Sequence, residues 1–152
     1  MFLGKELNEL QNFVSVSNKS NNAVSTKNVG WHIDHTLKVI IKICEALQAS
    51  NPEDYEWQFN PGRLFILSTG AIPRGRGESP KALVAKGPVL DSNLKRQLDA
   101  ASVQIETLNN LHPKSFFTHQ YFGKFDLNNT RKFLKIHTEH HLKIIRDIVK
   151  AN

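Results

Sequence analysis

Apolar positions return at helical spacing in four long stretches of the chain. Over residues 2–16, Leu3, Leu7, Leu10, Phe13 and Val14 are interleaved with Lys5, Glu6, Asn8 and Glu9. That spacing lays one apolar stripe along a helix. A Ser-, Asn- and Lys-rich segment over 17–27 reads as an exposed loop. Asn28 then offers an N-cap, and residues 28–49 are apolar over most of the helical circumference, with only Asp34, Lys38, Lys42 and Glu45 marking a narrow wet edge. A helix of that composition is expected to be buried among others, and Ser50-Asn51-Pro52 ends it. Asn60-Pro61 supplies a cap followed by proline at the first helical position, and Gly70 supplies a stop, so residues 63–69 are expected to form a short buried helix rather than a strand.

Residues 72–88 carry Pro73, Gly75, Gly77, Pro80, Gly87 and Pro88 and predict a long irregular loop of the kind that often serves as a lid. Asp91 or Ser92 caps a further helix over 92–110, in which Leu94, Leu98, Ala101, Ile105 and Leu108 follow the spacing of a bundle helix. An aromatic segment, 116–125, is expected to connect it to the last helix without strand structure. In that last helix, 127–150, the stripe is Phe133, Leu134, His137, His141, Ile144, Ile145 and Ile148. The pattern predicts one all-α domain over 1–152, a four-helix bundle with the long irregular loop between its second and third long helices.

Composition adds little to that architecture and narrows the function. Twenty basic against fourteen acidic residues give a net charge of +6. Apart from a local group at Arg74, Arg76, Lys81 and Lys86, the basic residues are scattered. They lack the aromatic interleaving of a nucleic-acid face, and the charge suits an anionic small substrate as well as a solvated surface. No apolar run approaches the roughly 20 residues that span a bilayer, and the first residues lack the order of a secretion signal. The single Cys44 lies in an apolar helical run, where it reads as a small core residue. The expected compartment is the cytoplasm.

The histidines change the picture. His137 and His141 stand four residues apart inside the apolar stripe of the last helix, so their imidazoles can reach one point. His140 projects roughly 60–100° away from them. A helix offers two metal ligands in this way, and a solvated or hydrogen-bonded histidine cluster is the plainer reading. A third ligand must come from another helix, and the helix over 28–49 carries His32 and His35 one turn apart. On the wheel His32 falls nearer the apolar arc, so spacing alone narrowly favours it. Glu139 points away from the histidine pair and reads as surface charge, His119 as a loop histidine, and Trp31 as core.

A bundle with one histidine early in its second helix and the run His137-Thr138-Glu139-His140-His141 in its last resembles the DinB/YfiT-like superfamily of metal-dependent proteins, and Tyr121-Phe122-Gly123 is similar to a DinB-like branch of it. The resemblance spans most of the chain and is specific at those two patches. It implies a divalent metal, zinc or nickel, held by the first and last histidines of the run, His137 and His141, and by one histidine of the second helix. Aligned on the apolar residues after the cap, that histidine is His35, with His32 as the alternative. Three neutral imidazoles leave a coordination position open, as in catalytic rather than structural sites. A divalent ion there would acidify bound water or a substrate thiol. The implied activities are a thiol-dependent transferase or a metal-dependent hydrolase. Lys143 and Ile144 stand where many members carry a Gly-Gln pair, which counts against the transferase. The expected partners are a small-molecule substrate, with a low-molecular-weight thiol among the candidates, and a second copy of the chain in a homodimer. Neither a membrane nor nucleic acid is expected. The rival is a non-enzymatic bundle that keeps the metal or histidine cluster for stability or interaction.

Overall fold

The computed structural model describes residues 1–75 and 79–150. Of the residues singled out above, Arg76 and Gly77 lie outside them. Five α-helices carry most of the described chain: α1 Gly4–Phe13, α2 Val29–Ala49, α3 Pro61–Thr69, α4 Asp91–Thr107 and α5 Leu127–Lys150. Their limits follow local chemistry. Asn28 accepts a hydrogen bond from the Trp31 amide at the start of α2, and Asn60 accepts one from the Arg63 amide at the start of α3. Gly70 closes α3 in the left-handed region at φ 66°. Val14–Val16 and Leu108–Asn110 continue α1 and α4 as single 3-10 turns.

The most buried helix is α2, which packs against both α4 and α5, while α1 packs against α4 and α5. Ile33, Leu37, Ile40, Cys44 and Leu47 of α2 share a continuous core with Leu10, Leu94, Leu134 and Ile145 from the other long helices. Burial pushes the Cys44 thiol up to about 12, so it is an inert core residue. The wet edge expected on α2 is narrower than the sequence suggests, because Asp34 is buried. Its carboxylate accepts from Lys38 Nζ at 2.7 Å and from Gln97 Nε2 of α4 at 2.8 Å. Paired in this way, a carboxylate can sit between two helices without an unsatisfied charge.

Outside the apolar core, α1 is tied to α5 by charge. Arg146 donates from Nε and Nη2 to both carboxylate oxygens of Glu9, at 2.6 and 2.7 Å, and from Nη1 to Glu139 at 2.7 Å. The Arg146 guanidinium holds the Glu9 carboxyl below the usual carboxylate range. Glu139 is thus part of an ion-pair network on the outer face of α5.

The aromatic segment is not a featureless connector. Phe116–His119 (β1) and Gly123–Asp126 (β2) form an antiparallel hairpin, with Phe117 opposite Phe125 and His119 opposite Gly123. Alternation was hidden because large aromatics occupy nearly every position. In the structure Phe117 and Phe125 point inward and stack, with centroids 5.1 Å apart, and Phe133 of α5 completes the cluster. Gly123, at φ 68°, makes the tight return. Arg63 of α3 is buried against the hairpin and donates to the carbonyls of Phe122 and Lys124. Phe125 is fully buried, so Phe125→Ala is expected to cost about 3–5 kcal/mol, read as a shift in the denaturant midpoint at unchanged slope.

No described helix is long and apolar enough to cross a membrane. Among the described residues of the long segment after α3, Lys81–Leu83 form a 3-10 turn. Arg74 within it pairs with Asp147 of α5 at 2.8 Å.

Candidate metal centre

The contact between α2 and α5 brings three histidines face to face. One ring nitrogen from each of His35, His137 and His141 lies within 4.8 Å of those of the other two, and all three residues are buried. The ring centroids are 4.7 Å apart for His137 and His141, 4.8 Å for His35 and His141, and 5.3 Å for His35 and His137. One turn of α5 separates the first pair, and α2 crosses at the level where His35 meets both. No carboxylate or thiol joins the group among the described residues.

The three rings are held in the protonation state that a metal binds. Burial lowers the ring of His35 to about 4, and lowers His137 and His141 well below the ordinary histidine value, reinforced by neighbouring imidazoles. All three are therefore neutral near pH 7, the form that binds a metal. Nδ1 of His35 and Nδ1 of His137 are buried with no hydrogen-bond partner among the described residues. Such orphaned ring nitrogens are rare in folded proteins. Two of them beside a third imidazole fit a divalent ion, which neutral imidazole suits. The three-histidine group can thus hold a divalent metal.

His32 is equally buried and sits elsewhere. Its Nδ1 lies 3.0 Å from Nδ1 of His141, and its Nε2 lies 3.0 Å from Ser25 Oγ. Its ring stands behind His141, outside the three-histidine group. The helical wheel ranks His32 above His35 because it places His35 beside a wet edge at Asp34, whereas Asp34 is buried. His140 is half-buried, its ring at 5.0 Å from that of His141, and does not join the group.

A cavity of about 800 Å³ opens over the three rings. Aromatic and aliphatic side chains form most of its wall, among them Trp31, Ile43, Leu83, Phe122 and Phe133. Lys27, Lys42 and Arg74 stand on its lining, and no described lining residue is acidic. Part of the long segment after α3 contributes to the wall through Ile72, Pro73, Ser79 and Pro80. His119 also lines the cavity. It is the last residue of β1 rather than a loop histidine, stacked on Phe122, with Nδ1 accepting from the Tyr121 and Phe122 amides. Burial lowers it to about 4.

Two features of the site were not read from the sequence. The Trp31 indole lies flat on the His35 ring, centroids 5.0 Å apart and planes 6° apart, so it supports the site as well as lining the cavity. The signal was available, because Trp31 and His35 are four residues apart. The His32–His141 contact joins residues 109 positions apart, and no local pattern reports it. Compared with family models, with curated proteins and with solved structures, the chain has no match in any of the three.

Proposed function

We propose that this chain is a DinB-like metal-dependent enzyme with a four-helix-bundle core, binding one divalent ion, zinc or nickel, through His35, His137 and His141. The observation that carries the reading is the buried, neutral three-histidine group facing a large cavity with no fourth protein ligand among the described residues. A site meant only for stability would be closed by a fourth side chain, so the geometry favours catalysis over the structural rival. When bound, such an ion supplies Lewis acidity toward a substrate oxygen or thiol. The protein's own part is then clear. His137 and His141 are held on one helix, His35 is stacked under Trp31, and the largely apolar wall of the cavity leaves the face over the rings open to a substrate.

The substrate in this reading is a small molecule with an apolar body and negative charge, a low-molecular-weight thiol among the candidates, in a transferase or hydrolase reaction. The basic lining residues and the absence of described acidic ones support an anion. Metal analysis of the protein purified without a histidine tag tests the proposal. One zinc or nickel ion per chain is expected, falling to background in His35→Ala. A chain that takes up no divalent ion, or a His35→Ala variant that retains it, would overturn the assignment.

A further inference from the structure

We infer that His32 is a positioning residue for His141, fixing its tautomer through a hydrogen-bond chain that ends on Ser25. The inference rests on the metal reading above and goes beyond it to the support of one ligand.

The chain has two links, His141 Nδ1 to His32 Nδ1 and His32 Nε2 to Ser25 Oγ, both 3.0 Å. Each link holds one proton, so only two arrangements are consistent. In one, the Ser25 hydroxyl donates to His32 Nε2 and His32 Nδ1–H donates to His141. His141 then carries its own proton on Nε2, where it blocks a metal. In the other, His141 Nδ1–H donates to His32 Nδ1 and His32 Nε2–H donates to Ser25 Oγ. His141 Nε2 is then bare and free to bind. Metal binding selects the second arrangement, and the first costs a proton rearrangement along the whole chain.

The surroundings hold this chain in place. Ser25 Oγ accepts from the Lys27 amide at 3.1 Å, which anchors the oxygen and leaves its second lone pair for His32. Trp31 packs edge-on against the His32 ring, centroids 5.1 Å apart. His141 has a second buried imidazole, that of His32, at its Nδ1. Metal-binding histidines are generally oriented by a hydrogen bond from their other nitrogen, and loss of that partner typically weakens binding about 10–100-fold.

The test uses the full, untagged chain. Zinc affinity is measured by competition with a chromophoric chelator for the native protein, His32→Ala and His32→Asn. Asn places its amide oxygen near the position of imidazole Nδ1 and can accept from His141 without reaching Ser25. A loss of about 10–100-fold in His32→Ala, largely recovered in His32→Asn, is expected. Histidine ring-nitrogen NMR on the zinc-loaded native protein should show His141 protonated on Nδ1 and His32 on Nε2, a readout that stands if His32→Ala fails to fold. Native protein that binds no zinc would sink the metal reading and this inference together. Native binding with an unchanged His32→Ala, or a zinc-loaded His141 lacking the Nδ1 proton, would overturn this inference alone.

Discussion

Replacing His141 with Ala is expected to abolish tight metal binding, with a loss of about 10²–10³-fold. Structural zinc sites bind with about 10–16 kcal/mol spread over four ligands, so each ligand accounts for roughly 2.5–4 kcal/mol. His141 lies in ring contact with both other members of the group, and it is the only one tied to His32. Its removal takes away both a ligand and the end of that chain. His140→Ala is the matched control, because His140 neighbours His141 in sequence and lies outside the group. It should weaken binding far less. Equal losses in the two variants would mean that the wrong face of α5 has been assigned. The comparison is made by metal competition at fixed pH, since protons compete for the same nitrogens.

The metal-free protein is expected to lose stability steeply between pH 6.5 and pH 4. Burial lowers His32, His35 and His119 each to about 4, from an ordinary value of 6.5. Above pH 6.5 these rings are neutral whether the chain is folded or not, and the folded state loses nothing to them. As pH falls below 6.5 the unfolded chain takes up protons that the folded one refuses, so stability falls until the folded rings titrate as well. At pH 5 the loss is about 2 kcal/mol per histidine, about 6 kcal/mol for the three. Denaturant midpoints of chelator-treated protein at pH 7.5 and pH 5 read it directly. Most carboxylates stay ionised across that window, so the histidines dominate the change. Equal midpoints would mean that these rings are hydrated rather than buried.

The helices were legible because their signals are local. Asn28 and Asn60 cap where polar side chains precede apolar runs, Gly70 stops α3, and the stripe on α5 is the buried face. The hairpin was not legible, because it depends on Phe117 meeting Phe125 across a turn, and a segment aromatic at nearly every position shows no period of two. Within the site, the His137–His141 pair is a matter of spacing along one helix, while the meeting with α2 is not. The choice between His32 and His35 turns on how α2 meets α5 and α4, and the burial of Asp34 against Gln97 of α4 is not visible in a wheel of α2 alone. The resemblance pointed to His35 where the wheel pointed to His32. The structure brings His35 into the three-histidine group and sets His32 behind His141.

X-ray absorption at the zinc edge of the loaded, untagged protein tests the central claim most directly. Three imidazole nitrogens at about 2.0–2.1 Å with one further light-atom ligand are expected, the pattern of an open three-histidine site. A sulfur ligand, a fourth protein side chain closing the site, or protein that takes up no zinc at all would contradict it.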